Sequence, residues 1–326
     1  MITFLFIIGL FFLIYAADWL VEGASTFAKR FHIPELVIGL TVVAFGTSAP
    51  ELIVNVLASL GGKGEIAFGN VLGSNVANIL LVLGISACIF PLIVPKSTLR
   101  FEIPTSLLGL VILFFLAYNG TPWKINSPQD LGRTDGFLLL LLFFSFFGYT
   151  ILLTLRHRKT IKLEFSESTE QASLTFAGVK IIAGMLGLFL GGKWVVEGAI
   201  TFAQFLHVSE GLIAITIVAI GTSLPELATS VVAARKKRVS IIVGNAIGSN
   251  IFNLLWVLGL SSAIAPIKYQ AYYNFDILIN LLAGGLILLF TFKSSSRSLG
   301  RKSGVFFLVI YAFYIIVSVY MKGPVG

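Results

Sequence analysis

Cysteine occurs once in this chain of 326 residues, at Cys88, and histidine three times, at His32, His157 and His207. A single cysteine excludes a disulfide framework and a cysteine-based metal centre. The scattered histidines exclude a zinc-type cluster. Charge is scarce as well: 12% of residues are Asp, Glu, Lys or Arg, against about 25% in soluble domains. What is plentiful is apolar. Hydrophobic residues make up 57% of the chain, 29 of them Phe, and the mean hydropathy is +0.96. This is the composition of an integral membrane protein. A net charge of +8 could suggest nucleic acid, but basic loops on one side of a membrane explain it better. The first apolar stretch has no small-residue cleavage site behind a short core, so it reads as a span and not as a signal peptide.

A membrane-crossing helix needs about 20 predominantly apolar residues. Ten stretches qualify: 2–24, 36–60, 66–93, 102–119, 135–155, 173–205, 210–233, 239–266, 274–292 and 304–321. The chain also matches itself at a shift of 175 residues. Trp19, Glu22, Gly23, Phe27, His32, Glu35 and Thr41 meet Trp194, Glu197, Gly198, Phe202, His207, Glu210 and Thr216. Gly46-Thr47-Ser48 meets Gly221-Thr222-Ser223, and Pro50-Glu51-Leu52 meets Pro225-Glu226-Leu227. The register continues without a gap through Gly69-Asn70, Gly73-Ser74-Asn75, Asn78 and Pro91 against Gly244-Asn245, Gly248-Ser249-Asn250, Asn253 and Pro266. Shared greasiness cannot align so many Gly, Pro, Asn and Glu. The chain is a duplication (a first five-helix repeat at 1–155, a second at 173–326, and a linker at 156–172). Five is odd, so the copies enter the bilayer from opposite sides. An inverted-topology repeat marks secondary transporters.

The loops give an orientation. Sixteen of the 23 Lys and Arg fall on the side opposite the N-terminus, and five on the N-terminal side. The remaining two, Lys180 and Lys193, lie within span 6. The positive-inside rule makes the richer side cytoplasmic. Both termini then face outward, and 156–172 is a cytoplasmic linker too short for a regulatory domain.

The chemistry sits in GTSAPEL (46–52) and GTSLPEL (221–227), inside spans 2 and 7. On a helix Thr47, Ser48 and Glu51 share one face. Pro50 lacks an N–H and clashes with the carbonyl four residues back, so the turn from Ala44 to Gly46 loses a helical partner. Free carbonyls at membrane depth are tolerated where they line a cavity or meet a ligand. Thr222, Ser223, Pro225 and Glu226 repeat the pattern, with Ala219 to Gly221 as the freed backbone. Gly46, Pro50, Gly221 and Pro225 are therefore read as helix breaks.

Spans 3 and 8 carry GNVLGSNVANILLVLG and GNAIGSNIFNLLWVLG. Ser74 with Asn78, and Ser249 with Asn253, are four apart and present a hydroxyl and an amide oxygen on one face. Gly69, Gly73, Gly244 and Gly248 form small-xxx-small faces for close helix approach. Asn75 and Asn250 read as helix cross-links. A carboxylate at bilayer depth costs about 2.5–3.5 kcal/mol on insertion scales, and two brought together repel. No Lys or Arg lies mid-span near Glu51 or Glu226 in sequence, so a bound cation is the natural counter-charge. All candidate ligands are hard oxygens. Ca²⁺ accepts six to eight of these in flexible geometry, while Mg²⁺ demands a strict octahedron. Na⁺ fits the same donors. Asp18, Glu22, Lys193 and Glu197 are read as interfacial anchors beside Trp19 and Trp194. The run Arg235–Arg238 is read as an orientation signal.

These paired frames resemble the alpha-1 and alpha-2 repeats of the sodium/calcium exchangers, in the cation/calcium antiporter superfamily. The likeness is most specific in the four motif helices, at about 39–84 and 211–259, and looser over all ten spans. The compact chain resembles the prokaryotic members. The resemblance implies an all-α membrane protein of ten helices in two inverted repeats, with broken ligand-bearing helices 2, 3, 7 and 8. It implies that Glu51 and Glu226 are the central calcium carboxylates, and that Thr47 and Thr222 serve the calcium site by backbone carbonyl and also sodium binding. Ser48, Ser74, Ser223 and Ser249, with the carbonyls of Ala44 and Ala219, would serve sodium sites. Asn78 and Asn253 fill the last motif position of each repeat. Relatives that need potassium typically carry Asp at the position of Asn253, so potassium independence is implied. The motif of the proton-coupled branch, Gly-Asn-Ala-x-Glu, is absent.

The expected activity is Na⁺/Ca²⁺ antiport by alternating access in the plasma (cell inner) membrane, with Ca²⁺ extruded. No cofactor, nucleic acid or obligatory protein partner is inferred; the partners are the two ions and the lipid bilayer. A Ca²⁺/H⁺ antiporter on the same scaffold is the main rival, a cation channel a more distant one, and an intramembrane enzyme the third. Asn253→Asp is expected to change ion preference and to add potassium sensitivity. Competition of Na⁺ and K⁺ against radioactive calcium uptake measures this, and an unchanged profile would remove the idea.

Overall fold

The computed structural model describes residues 2–62, 64–118, 130–164, 173–205, 219–294 and 296–322. Helix α1 spans Ile2–Phe31. It stops where His32 turns left-handed at φ 55°, Ile33 N–H bonds back to Ala28 O at 2.9 Å, and Pro34 follows. Next come α2 (Glu35–Ile38), a π-turn at Gly39–Val43, α3 (Ala44–Thr47) and α4 (Ala49–Leu60). The third span is α5 (Glu65–Ala77), a π-turn at Asn78–Val82 and α6 (Leu83–Ile89). Strand β1 (Leu92–Ile93), α7 (Lys96–Arg100), α8 (Glu102–Ala117) and α9 (Arg133–Glu164) complete the first half.

The second half opens with α10 (Leu174–Phe205). It continues with α11 (Ala219–Thr222), α12 (Leu224–Arg235) and α13 (Val239–Ile251). A π-turn at Phe252–Val257, α14 (Leu258–Ile264), α15 (Tyr273–Lys293), β2 (Ser298–Leu299) and α16 (Arg301–Lys322) follow.

Among the described residues eight helices are long and apolar enough to cross a membrane. A ninth crossing is the bent pair Glu35–Thr47 and Ala49–Leu60, at 47°. The expected span 210–233 falls in part on 206–218, outside the described residues, as do His207, Glu210 and Thr216; its described part is α11 and α12. The other expected spans are present. Helix α9 runs on to Glu164, into the first half of the expected linker, and 165–172 lies outside the described residues. Asp18 and Glu22 are not at the end of a span as expected, because α1 continues nine residues past Glu22. Each instead makes an ion pair, Asp18 with Lys236 on the loop after α12 and Glu22 with Lys180 on α10, both at 2.7 Å.

Burial sorts centre from rim. In the most apolar window of Val239–Ile264 94% of residues are buried, against 22% for Arg133–Arg156. The span α13–α14 is thus the axis of the molecule, and α9 faces lipid. Glycine permits that centring. A Cβ on Gly248 would stand 2.8 Å from Leu40 O and 2.7 Å from Leu40 Cα, and one on Gly244 2.6 Å from Leu36 O. Backbones of spans 2 and 8 therefore touch, as the small-xxx-small reading required.

The duplication is visible as matching contacts on opposite faces. Leu92 pairs with Leu299 on the face that carries Lys96 and Arg297, and Ile267, the repeat-mate of Leu92, pairs with Leu131 on the other. Gly62 at φ 72° and its mate Lys237 at φ 57° end α4 and α12 in the same left-handed turn. These matches, with the solved relative described below, make the fold two inverted five-helix repeats.

Gly248→Ala is expected to destabilise the purified protein by about 1–3 kcal/mol, since backbone and not a flexible side chain must yield. Gly285→Ala, with nothing within 4 Å of the new methyl, is expected to leave stability unchanged or to raise it. Thermal unfolding in one detergent compares the two, and equal losses would contradict the packing described.

Candidate ion site

The break in span 2 is built by Ser48 and Pro50. Ser48 leaves the helical region at φ −87°, ψ 7°, and Pro50 sits in the first turn of α4, where a missing N–H costs nothing. Ser223 repeats this at φ −86°, ψ 4° ahead of Pro225. Thr47 and Glu51 therefore belong to two helices that meet at a hinge, and not to one continuous face. The expected free carbonyl at Ala44 is also modified. Ala44 O accepts Ser48 N–H at 3.0 Å, and the Thr47 hydroxyl lies within hydrogen-bond reach of the same oxygen at 3.3 Å. Ala219 opens the short α11. Spans 3 and 8 take a different form of interruption. Their helices stay continuous but widen into π-turns that begin at Asn78 and one residue before Asn253. Such turns are frequent at functional sites.

Gly46 and Gly221 let α10 lie against both hinges. A Cβ on Gly46 would meet Met185, and one on Gly221 would meet Val196. Pro225 packs beside Gly192 of the same helix.

The side chains converge on the middle of the bundle. Glu51, Glu226, Thr47, Ser48, Asn78, Ser249 and Asn253 are all 0% exposed, and Ser74 and Ser223 are 1% exposed. Ser48 Oγ, three residues before Glu51, donates to Glu226 Oε1 at 2.9 Å, and Ser249 Oγ donates to the same oxygen at 3.2 Å. Thr47 Oγ1 donates to Asn245 Oδ1 at 3.0 Å, and its mate Thr222 donates to Asn70 Oδ1 at 3.2 Å. Thr47 and Ser249 hydroxyls are 3.4 Å apart, and Ser74 and Thr222 hydroxyls 3.2 Å. At the centre Asn75 Nδ2 donates to Asn250 O at 3.1 Å and Asn250 Nδ2 donates to Asn75 O at 3.2 Å. This reciprocal pair is the cross-link read from the sequence. Asn78 Nδ2 donates to Asn250 Oδ1 at 3.1 Å.

The carboxylates differ in degree. Glu226 Oε1 holds two hydroxyls and Glu226 Oε2 none, while neither oxygen of Glu51 has a protein donor within hydrogen-bond distance, and Ser223 Oγ is likewise unbonded. Asn78 Oδ1 and both polar atoms of Asn253 are also unbonded. No Lys or Arg forms an ion pair with either glutamate, and no three of His, Cys, Asp and Glu gather among the described residues. Two buried acids among hydroxyl and amide oxygens, with no Lys or Arg paired to them among the described residues, offer the donor set that hard cations prefer.

Sequence reasoning missed Asn70 and Asn245. The signal was present: Asn70, Ser74 and Asn78 repeat every four residues, as do Asn245, Ser249 and Asn253. It also passed over Glu102 and Asp276, buried at 6% and 0% exposure in the first turns of α8 and α15. Tyr314 Oη donates to Asp276 Oδ1 at 2.8 Å. Asn280, one turn on, donates to Leu72 O at 3.0 Å and so ties α15 to α5.

A ten-span plan of two inverted repeats around a buried cluster of polar oxygens defines a membrane carrier for cations, and not an enzyme. The family model for the sodium/calcium exchanger protein matches residues 1–152 and 176–320, and the chain belongs to that family. It is 36% identical to the inner membrane protein YrbG of Escherichia coli over 93% of this chain and 92% of that one. It is 32% identical to the sodium/calcium exchanger MaX1 of Methanosarcina acetivorans over 98% and 100% of the two chains. A solved structure of the sodium-calcium exchanger NCX_Mj, soaked with zero Na⁺ and Ca²⁺, superposes with a TM-score of 0.80 at 31% identity, covering 97% of this chain and 98% of that one. The protein is thus a multi-pass membrane exchanger of Ca²⁺ against another cation.

Asn75→Ala and Asn250→Ala each leave a buried backbone carbonyl of the other helix without its donor. Each change removes one bond of the pair and leaves the other in place, so each is expected to cost about 1 kcal/mol, within the range of interhelical hydrogen bonds in membranes, and the two losses are expected to add. Unfolding of the two single variants and the double variant measures this, and wild-type stability in all three would show that the reciprocal bonds contribute nothing.

Proposed function

We propose that this exchanger couples Na⁺ to Ca²⁺ by alternating access, with Glu51 and Glu226 as the shared carboxylates. The observation that carries the reading is the burial of both acids at 0% exposure among neutral oxygens, with no Lys or Arg paired to them among the described residues. Closing such a site without cations would leave two bare charges in low dielectric. Occupancy by Ca²⁺, or by Na⁺ in its place, removes that penalty and permits the switch. A cation moves such an equilibrium only through its different affinity for the two states. Thr47 and Thr222 serve Ca²⁺ by their carbonyls. Ser48, Ser74, Ser223 and Ser249, with the carbonyls of Ala44 and Ala219, serve Na⁺. Asn78 and Asn253 complete the cage as neutral ligands.

Helices α1 and α10 are the moving pair in this proposal. They pack lengthwise through glycine, with a Cβ on Gly9 2.9 Å from Gly191 O and one on Gly184 2.8 Å from Ala16 O. Through Met185 and Val196, α10 lies across both hinges. The face bearing Lys96, Arg235–Arg238, Arg297 and Arg301 is cytoplasmic under the positive-inside rule, both termini are outside, and the Na⁺ gradient drives Ca²⁺ outward. The names of MaX1 and NCX_Mj support sodium as the coupling ion.

Calcium uptake into proteoliposomes, with Na⁺, K⁺ and H⁺ gradients imposed one at a time, tests the reading. Uptake is expected to follow the Na⁺ gradient and to ignore K⁺. Uptake that follows only the pH gradient would establish the proton-coupled rival instead. Glu51→Gln and Glu226→Gln are each expected to reduce sodium-driven uptake to background while the protein stays folded, and retained uptake in either would remove the site.

A further inference from the structure

Helix α4 is built inside out. Its buried residues are Glu51, Asn55 and Ser59, spaced four apart on one face and 0, 0 and 2% exposed. Its apolar residues point away from the protein: Ile53, Val54, Leu57 and Leu60 are 44, 39, 63 and 67% exposed. An ordinary bundle helix buries apolar or small groups. Polar residues within a span face a bundle interior that satisfies them, or a water-filled cavity. Here the protein does not satisfy them. Both oxygens of Glu51, Asn55 Nδ2 and Ser59 Oγ have no hydrogen-bond partner, and neither has Ser261 Oγ on α14, a helix packed against α4. Dry, each such atom carries a desolvation penalty that nothing nearby offsets.

The donor pattern names the occupant. Asn55 Oδ1 accepts Asn70 Nδ2 at 3.2 Å, so the group left over on Asn55 is an N–H donor. A donor repels a bare metal cation and suits a water oxygen. Ser59 and Ser261 can donate or accept, and Glu51 accepts. Such a series supports a file of water from the central carboxylate to the last turn of α4, at the face opposite Lys96 and Arg297.

The other half of the molecule carries a shorter series. Glu226 Oε2, Thr229 Oγ1 and Ser86 Oγ, the repeat-mate of Ser261, are likewise buried without a partner, and Ser230 takes a bond from Asn245 Nδ2 at 3.5 Å. Beyond them Val232, Ala233 and Ala234 are 8, 0 and 1% exposed. Ser59 is thus matched by a buried alanine, Ala234.

We propose that Glu51, Asn55 and Ser59 line a hydrated column that reaches Glu51 from the face opposite the basic one, with no counterpart beyond Ser230 on the Glu226 side. Column water solvates Glu51, as Ser48 and Ser249 hydroxyls hold Glu226. A cation arriving from that face meets Glu51 first and displaces water instead of a protein donor. The role of Glu51 as first ligand rests on the proposed exchange function; the column itself does not.

Cysteine accessibility to Ag⁺, a thiol-reactive monovalent cation, separates the two. In a Cys88→Ala background, Ser59→Cys, Asn55→Cys, Val54→Cys and Ala234→Cys are placed in nanodiscs in chloride-free buffer without Na⁺ or Ca²⁺. Thiols left after a brief Ag⁺ pulse are counted with a maleimide in denaturant. Cysteines at 55 and 59 are expected to react at least tenfold faster than those at 54 and 234, although 54 is the more exposed position. Equal rates, or a faster reaction at 54 or 234, would overturn the column. Ser59→Cys is nearly isosteric, so its rate decides the matter if Asn55→Cys elutes as aggregate. The readout is independent of which ions are carried, so failed sodium coupling in proteoliposomes would leave it standing.

Discussion

Two carboxylates buried together inside a membrane protein are the constraint around which the rest is arranged. Each is unfavourable alone at that depth, by about 2.5–3.5 kcal/mol on insertion scales, and their mutual repulsion adds to it. Among the described residues no Lys or Arg pairs with them. The fold surrounds them with hydroxyls and amides, which can share a cation but cannot replace one. The hinges, the π-turns and the glycine contacts all serve this cage. Ser48 and Pro50 turn the backbone at the site, Gly244 and Gly248 bring spans 2 and 8 to backbone contact, and Asn75 and Asn250 pin the two central helices across the pseudo-two-fold axis.

Symmetry supplies the scaffold, and departures from it supply direction. Threonine, serine and asparagine contacts recur in pairs at the repeat spacing, yet one oxygen of Glu226 takes two protein hydroxyls within 3.2 Å and neither oxygen of Glu51 takes one. A perfectly symmetric carrier would treat both faces of the membrane alike. Substitutions such as Asn55 against Ser230, and Ser59 against Ala234, are the kind of difference that lets an inverted repeat distinguish one face from the other. The ion pairs of Asp18 and Glu22 are a second such difference, since Lys193, the mate of Asp18, pairs instead with Glu197 on its own helix at 3.8 Å.

Much of this was legible in the residues. The apolar runs predicted the spans closely, because lipid admits few alternatives to helix. The repeat register located Glu51 and Glu226, because Gly, Pro and Glu are too costly in a span to recur by chance. The reading erred where local and tertiary effects compete. Asp18 and Glu22 read as interfacial anchors until α1 proved to continue to Phe31, beyond the apolar stretch. The carbonyl of Ala44 read as free until Ser48 N–H turned back to it. Asn70 and Asn245 were seen as repeat markers but given no task, since the hydroxyls they receive come from the other repeat, well over a hundred residues away.

The sequence by itself determined the membrane class, the duplication, the inversion of its halves and the two acids at the centre. These follow from composition, period and parity, which require no knowledge of contacts. Only the tertiary structure decided which hydroxyl serves which carboxylate, that neither oxygen of Glu51 meets a protein donor within hydrogen-bond distance, and that α4 turns its polar face inward. Such outcomes depend on the relative placement of helices far apart in the chain. That placement is set by glycine-mediated packing and interhelical hydrogen bonds, which no local pattern encodes.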